Sequence, residues 1–359
     1  MKRTATIDRP ARPRPVTLKD VAQAAGVHVS TASRALDPSK SWRVSEATIE
    51  RVRVAADQLG YTPDIIAKGL KRGTTMSVGV VVADFENPFI GPVLRGVART
   101  LEQRDFIPLV VETVESHERL ERMLTHLLSR RVSAIITTAA RLTDTHLLDR
   151  IAHDGPPIVL AVRDVEATGL PSVTTDDRHG AELAADHLTS LGHRVLAQLR
   201  GPLDVSPFAE RAEGFRRRIG KQGLVDVTVS EPATEPTVDQ GRRLMELTLR
   251  ENGDRLPTAV FAHADVMAIG AIQAIRAVGL DCPGDISVIG YDDAPLVDCV
   301  APPLSTIRLP GEEIGELAGE LALRLMEDPQ GADSISLPST LVARSSTAAP
   351  RDGRLTSAT

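Results

Sequence analysis

Cysteine, aromatic residues and long apolar runs are all scarce in this sequence of 359 residues. The two cysteines, Cys282 and Cys299, lack CxxC spacing, which supports neither a disulfide framework nor a metal cluster and fits a reducing cytoplasm. No apolar run approaches the roughly 18 residues of a membrane span. Residues 1–15 contain basic side chains but no apolar segment typical of a secretory signal. These absences predict a cytoplasmic protein with no membrane partner.

Nucleotide-binding motifs are missing as well. GxGxxG does not follow a predicted strand and GxxxxGK[ST] does not occur, so neither a dinucleotide site nor a nucleoside triphosphate site is indicated. We therefore expect no cofactor and no metal ion. Aromatic residues make up 3% of the chain and offer few surfaces on which a ligand ring could stack.

Charge is divided unevenly along the chain. Residues 1–73 carry 14 Lys and Arg against 7 Asp and Glu, whereas the remainder carries 28 against 41. A basic N-terminal part on an acidic body places a polyanionic partner at the N-terminal end. The alternative is a merely solvated basic tail, because much of this charge lies among prolines in residues 1–14. Without that stretch, 9 basic residues still stand against 6 acidic ones.

Residues 16–37 have the pattern of two short helices joined by a tight turn. Thr17 and Asp20 fit a capping box that opens the first helix, and Gly26 stands where it ends. The second helix presents small side chains and one arginine: Val29, Ser30, Thr31, Ser33 and Arg34. Hydroxyls suit phosphates and arginine suits a base edge, which is typical of a helix in a DNA major groove. A plain helical hairpin packed through alanines has the same spacing, so that alternative stays open here.

Further along, a third helix is predicted from Ser45 to Gly60, followed by a linker. From Met76 onward, apolar β-rich runs alternate with amphipathic segments of helix length, which predicts parallel sheets with crossover helices. The runs form two groups of four. We therefore predict two similarly built α/β subdomains, with a ligand cleft at the carboxyl ends of their strands.

Segments spread from Val16 to Thr347 carry a resemblance to a known family. They include TLKDVAQAAGV, STASRAL, ENPF, DDRHGAELAADHLTSLGHR, DISVIGYDD and LPSTLVARSST. In their order and spacing, the chain resembles the lactose/purine repressor (LacI/GalR) family of bacterial transcription regulators. The resemblance implies an α/β fold class, with an N-terminal all-α helix-turn-helix headpiece and a periplasmic-binding-protein-like core of two α/β subdomains with parallel sheets.

The same resemblance gives the DNA-binding headpiece (16–60), a hinge (61–75) and an effector-binding and dimerisation core (76–347). The prolines predict a disordered basic arm (1–15), and a disordered tail is expected at 348–359. The core subdomains are expected at roughly 76–176 with 293–327, and at 177–292 with 328–347.

Expected DNA contacts follow from the resemblance. Val29 and Ser30 fall where family members select operator bases, and Arg34 falls where a base or nearby phosphate is contacted. The other expected contacts are Thr17, His28, Thr31, Ser33, Lys68 and Leu70. For Thr31 and Ser33 the alternative is local bonding to the helix backbone.

Four positions depart from or sharpen this pattern. Leu70 matches the hinge leucine that family members wedge into the minor groove. Asp64 replaces the usual Asn, and its carboxylate repels nearby phosphates although it suits the positive end of a short helix. Gly69 weakens the expected hinge helix, so we predict a hinge that is disordered off DNA and depends on operator contact to fold. His28 replaces a serine that commonly caps the recognition helix, and a plain surface position is favoured over a groove contact.

The effector is expected in the cleft. The residues assigned to it by the resemblance are Asn87, Phe89, Arg163, Phe208, Arg211 and Asp292. Arginine and aspartate on opposite walls could hold ligand hydroxyls, with phenylalanines as apolar faces. The alternatives are a structural ion pair of Arg211 with Glu210 or Asp204, and a helix N-cap role for Asp292. His193 is expected to support a helix-to-strand turn rather than catalysis.

The predicted function is a sequence-specific DNA-binding regulator, most often a repressor in this family, and not an enzyme. A homodimer would read a near-palindromic operator, and a small molecule, a sugar or sugar derivative, would change its affinity, either releasing or recruiting DNA. The alternatives are a ligand-binding transport protein and an enzyme that uses Asp292 and Asp293 as an acid/base pair. The headpiece argues against the first. The lack of a nucleophile or metal set argues against the second.

Overall fold

The computed structural model describes residues 14, 16–37, 41–61, 75–253, 255–329 and 333–351. The chain divides into two compact units, Met1–Gly73 and Thr74–Thr359. Apart from Arg14, the predicted basic arm of residues 1–15 lies outside the described residues. So do the hinge residues Asp64, Lys68, Gly69 and Leu70, and the predictions made for them stay predictions.

The described part of the first unit is a small helical domain. It contains α1 (Leu18–Ala24), α2 (Val29–Ala35) and α3 (Glu46–Leu59), with a 3-10 turn at Ser41–Arg43. The capping box is confirmed, because the Asp20 backbone N–H donates to Thr17 Oγ1 and the Thr17 N–H donates to the Asp20 carboxylate. Gly26 and Gly60 both have φ of +64°, so each follows its helix in the left-handed conformation that glycine favours. Small apolar side chains from all three helices form the core: Val21, Ala22, Ala25, Ala32, Ala35, Val52, Ala55 and Ala56.

The first subdomain of the second unit is built on a parallel sheet. Its described strands are β1 (Ser77–Val82), β2 (Ile107–Glu112), β3 (Ala134–Thr137), β4 (Ile158–Ala161), β5 (Ser172–Thr175) and β11 (Ile335–Leu337). Its helices are α4 (Ile90–Glu102), α5 (His117–Ser129), α6 (Thr145–Asp154) and α11 (Gly311–Glu327). The strand order is β11-β5-β4-β3-β1-β2. Every residue of β1, β3 and β4 is buried, as expected where helices cover both faces of a sheet.

The second subdomain has a parallel sheet of its own. Its described strands are β6 (Val195–Leu199), β7 (Val225–Asp226), β8 (Ala259–Ala262) and β9 (Ser287–Ile289), in the order β7-β6-β8-β9. Its helices are α7 (Asp177–Ser190), α8 (Ser206–Lys221), α9 (Val238–Asn252) and α10 (Asp265–Ala277). An antiparallel pair, β10 (Thr306–Arg308) with β12 (Thr340–Val342), completes the unit. The prediction of α/β subdomains with parallel sheets is confirmed. None of the described helices is both long enough and apolar enough to span a bilayer.

Two predicted boundaries need correction. β11 pairs in parallel with β5 of the first sheet, so 328–347 does not belong as a whole to the second subdomain. The expected disordered tail, 348–359, is wrong for residues 348–351. The Ala348 N–H donates to Ser287 Oγ at 3.0 Å and Arg351 pairs with Asp285 at 3.1 Å, so these residues bond to β9 and to the loop before it. Residues 352–359 lie outside the described part.

Helices α4 and α11 touch through glycines. A Cβ atom on Gly315 would lie 2.0 Å from the Val93 carbonyl oxygen, and one on Gly96 would lie 2.0 Å from that of Glu312. We expect Gly315→Ala to lower the free energy of unfolding by about 1–3 kcal/mol, because the helices must move apart. Gly220→Ala in α8 is the matched control: its added Cβ meets nothing within 4 Å, and it should be neutral or stabilising. Urea unfolding of both variants tests this, and equal midpoints would contradict it.

Candidate DNA-binding and effector sites

The side chains predicted to face DNA share one side of α2. The exposed positions are His28, Val29, Ser30, Ser33 and Arg34, and Thr31 is half-buried. Ala32 and Ala35 point the other way, into the headpiece core. Thr17 is half-buried and its hydroxyl is engaged with Asp20 in the cap of α1. The helix can therefore lay its exposed side on a partner without disturbing the core.

His28 does more than occupy the surface. Its Nδ1 accepts a hydrogen bond from the Ser30 backbone N–H at 3.3 Å and lies 2.8 Å from Ser30 Oγ. The residue thus stands at the N-cap of α2 and fills the capping role of the serine that it replaces. Sequence analysis favoured a surface position and left a groove contact open, and it did not predict that histidine would cap the helix.

The six residues predicted for the effector line one cleft between the two subdomains of the second unit. The cleft holds about 510 Å³ of empty space, open solvent included. Asn87, Phe89 and Arg163 come from the first subdomain, and Phe208, Arg211 and Asp292 come from the second. The cleft lies beyond the carboxyl ends of strands in both sheets, the usual ligand position in open parallel sheets. Among the described residues, no group of His, Cys, Asp and Glu side chains could hold a metal ion.

Arg211 on α8 is the most enclosed cation of the cleft, with 3% of its side chain exposed. Its Nε donates to Asp177 at 2.7 Å, and its Nη1 donates to the His263 carbonyl at 2.5 Å. The guanidinium also lies 3.7 Å from the ring centre of Tyr291. The expected alternative partners are wrong: Glu210 pairs with Arg178, and Asp204 pairs with Arg141. Arg211 is therefore both a structural ion-pair partner and a wall of the cleft.

Asp292 faces Arg211 across a longer gap. The two groups are 3.6 Å apart, and 8% of the Asp292 side chain is exposed. Burial raises the pKa of Asp292 well above its usual value; the nearby Arg211 opposes this shift, while Asp265 and Asp177 reinforce it. The backbone at Asp292 has φ of 117°, a strained conformation of the kind that collects at ligand sites.

The two adjacent aspartates do not converge. Asp293 turns away and pairs with Arg308 at 2.6 Å and with Arg344 at 2.7 Å. The backbone of Asp292 bonds to Ile307 and Leu309 rather than opening a helix, so the N-cap alternative is wrong. The geometry offers no acid/base pair at these two positions.

Comparison with known proteins decides the family. Residues 17–64 match the model for bacterial regulatory proteins of the lacI family, and residues 185–347 match a periplasmic binding protein-like domain. The ribose operon repressor of Escherichia coli (strain K12) is 33% identical over 321 residues, which cover 87% of this chain and 94% of that protein. This chain belongs to the LacI family. The family and fold class predicted from the sequence are thereby confirmed, and the DNA-binding, helix-turn-helix and repressor character of the family applies to this member.

Solved LacI-family structures show the same architecture. The Lac repressor dimer bound to operator and the anti-inducer ONPF gives a TM-score of 0.82 at 28% identity, covering 94% of this chain and 100% of that one. A LacI family transcriptional regulator from Enterococcus faecium, with bound ribose, gives a TM-score of 0.66 at 25% identity, covering 77% of this chain and 100% of that one.

Sequence analysis missed two charged residues of this LacI-family cleft, Asp84 and Glu115, of which Glu115 is the buried one. Glu115 lies in the loop after β2, and its carboxylate accepts two hydrogen bonds from Arg163, at 2.5 and 3.0 Å. Burial tends to raise the pKa of Glu115, but Arg163 and Arg141 outweigh it and hold the pKa below its usual value. A single glutamate among many surface charges carries no local signal that would have identified it.

Direct contacts join the two subdomains beside the cleft. Arg141 of the first subdomain pairs with Asp204 of the second at 2.7 Å, and the Leu142 N–H donates to the Asp204 carbonyl at 2.8 Å. The Asp164 N–H donates to Ser206 Oγ at 2.8 Å. A change in the angle between the subdomains must rearrange these bonds.

His193 lies away from the cleft, between α7 and β6. It is buried, with one ring nitrogen 2.9 Å from Thr258 Oγ1 and the other 2.9 Å from the Ala348 carbonyl. Both partners belong to the scaffold, which agrees with the structural role predicted for it. Burial lowers the pKa of His193 to about 4, and the Ala348 carbonyl opposes this shift.

This histidine predicts a pH dependence of stability. The folded state favours the neutral ring, so His193 contributes fully to the free energy of unfolding above about pH 6.5. This contribution, up to about 3 kcal/mol, is lost as the pH falls toward 4. We expect His193→Asn to flatten the fall in unfolding free energy over this window. The exposed His126, replaced in the same way, is the control and should leave the slope unchanged. Urea unfolding across the window measures both, and parallel slopes for the two variants would refute the prediction.

Proposed function

We propose that this LacI-family member is a homodimeric repressor whose operator affinity is set by a sugar or sugar derivative bound in the cleft. It would act in the cytoplasm on a near-palindromic operator, since a two-fold protein reads a two-fold site. The observation that carries the proposal is the cleft itself. Cationic, carboxylate and aromatic side chains from both subdomains line one space, and the same chain carries a DNA-binding headpiece.

The lining suits a polyhydroxyl ligand. Carboxylates accept hydrogen bonds from hydroxyls, guanidinium groups donate to them, and phenylalanine rings cover apolar ring faces. The ribose held by the Enterococcus faecium relative supports a carbohydrate in this fold. Because the ligand touches both subdomains, it can favour one interdomain angle over another and so change the arrangement of the headpieces. Such coupling is reciprocal: operator DNA must change effector affinity by the same factor.

In the α2 contact, Arg34 would read a base, Val29 would contact a thymine methyl, and Thr31 and Ser33 would bind phosphates. Arg14 and the other basic residues near the N-terminus would add salt-dependent attraction.

Two measurements test the proposal. The full chain is first screened by thermal shift against sugars, sugar phosphates and nucleobases, and a sugar should raise the melting temperature. A gel-shift assay with the DNA upstream of its own gene should then show a specific complex whose affinity changes with that sugar. Absence of any sequence-specific shift, with and without the screened compounds, would contradict the regulator function.

A further inference from the structure

Carboxylates outnumber guanidinium groups along the cleft. Among the described residues that line it, the carboxylates are Asp84, Glu115 and Asp292, and the guanidinium groups are Arg163 and Arg211. Both arginines are already engaged by carboxylates of the protein. Arg163 is held by Glu115, and Arg211 is held by Asp177 from behind the cleft.

The ion pair of Glu115 and Arg163 is buried and has good hydrogen-bond geometry. Their side chains are 5% and 8% exposed, and two hydrogen bonds join them in the fork-to-fork geometry that arginine and carboxylate favour. Arg141 contacts the same carboxylate at 3.4 Å. Glu115 therefore pairs closely with Arg163 and more weakly with Arg141, whose closer partner is Asp204.

Backbone strain supports a role for this pair beyond stability. Val114 and Glu115 have φ of 51° and 53°, and Val162, which precedes Arg163, has φ of 67°. Branched and long side chains rarely adopt this left-handed conformation, and each such residue costs stability. Both loops thus contain strained residues, and this backbone conformation brings Glu115 and Arg163 together inside the cleft.

An anionic ligand would meet a cleft in which carboxylates outnumber guanidinium groups and the guanidinium groups are occupied. A neutral ligand meets a different surface. Glu115 keeps one lone pair, on Oε1, that can accept from a hydroxyl, and the guanidinium of Arg163 keeps an N–H that can donate to one. The pair can thus bind a hydroxyl without adding an unpaired charge to the cleft.

We infer that Glu115 is a specificity-determining residue of this cleft, which admits an uncharged polyhydroxyl ligand and rejects a phosphorylated one. This inference rests on the proposed function of the cleft as an effector site. It adds the charge class of the ligand and the residue that selects it.

The test uses inorganic phosphate as the probe in calorimetric titrations of the full chain up to about 10 mM. Glu115→Gln keeps the shape of the side chain and frees Arg163, so this variant should bind phosphate roughly 10- to 100-fold more tightly than the unmodified chain. Adding Arg163→Gln should abolish the gain. Glu121→Gln is the matched control, because Glu121 forms an ion pair with Arg150 at 2.6 Å outside the cleft.

Several outcomes would overturn the inference. One is a folded Glu115→Gln variant with no gain over the control, and another is a gain that survives the loss of Arg163. The unmodified chain supplies a third test that needs no stable Glu115 variant: saturable phosphate binding that disappears with Arg163→Gln would also refute it. The two proposals fail separately. If no sugar binds but Glu115→Gln binds phosphate more tightly, the effector proposal fails and the charge selection stands. If a sugar binds but Glu115→Gln does not bind phosphate more tightly, the charge selection fails and the effector proposal stands.

Discussion

Replacing Arg211 with alanine is expected to lower the free energy of unfolding by about 3–5 kcal/mol and to abolish the effect of the ligand on operator binding. The substitution removes a guanidinium with 3% exposure from between Asp177 and Asp292. Two buried carboxylates then lack their shared cation, and a buried charge without a partner is among the most destabilising changes in a core. The ligand also loses a donor on one wall of the cleft.

Urea unfolding and thermal shift with the sugar identified by screening measure these losses. Arg218→Ala, on the same helix, is the control: its pair with Asp186 is about two-fifths exposed and screened by solvent, so its loss should change the free energy of unfolding little. The pH dependence supplies a second readout. Burial raises the pKa of Asp177 and of Asp292, and without Arg211 both protonate more readily, so the deficit should shrink as the pH falls. A deficit equal to that of the control, or one that does not change with pH, would show that Arg211 is not the central charge of the cleft.

The cleft residues were assigned by the family resemblance, and only some of them also have a local signal in the sequence. Asn87, Arg163 and Asp292 each follow an apolar strand, and the ends of parallel strands meet at one edge of a sheet. The headpiece was predictable for a similar reason, since a capping box and two terminal glycines mark its helices within a few residues. Pairings across the chain have no such signal. Arg211 meets Asp177 over 34 positions, and Arg163 meets Glu115 over 48.

Long-range strand pairing escaped the sequence analysis in the same way. β11 has three residues, too few for a period of two to show, and its neighbourhood is fixed by contacts such as that from the Ser172 N–H to Ser334 Oγ, 162 positions apart. Residues 348–359 were predicted to form a disordered tail. The first of them nevertheless bonds to β9: the Ala348 N–H donates to Ser287 Oγ at 3.0 Å.

Replacing Arg34 with alanine should weaken operator binding roughly 10- to 100-fold, the value of one good arginine contact to a base edge. Arg34 lies on the exposed side of α2 with Val29 and Ser30, while Ala32 and Ala35 hold the other side in the core, so the substitution should leave the headpiece folded. Gel-shift titrations on operator DNA and on an unrelated duplex of equal length measure the effect.

The control must separate a base contact from a general loss of charge. Arg53→Ala, at an exposed position of α3, removes the same charge from the same headpiece. A base contact lowers operator affinity much more than affinity for the unrelated duplex, whereas a phosphate contact lowers both and reduces the salt dependence by about one counterion. If Arg34→Ala and Arg53→Ala weaken both duplexes equally, Arg34 supplies only charge. Sequence choice would then rest on Val29 and Ser30, whose uncharged side chains cannot change the salt dependence.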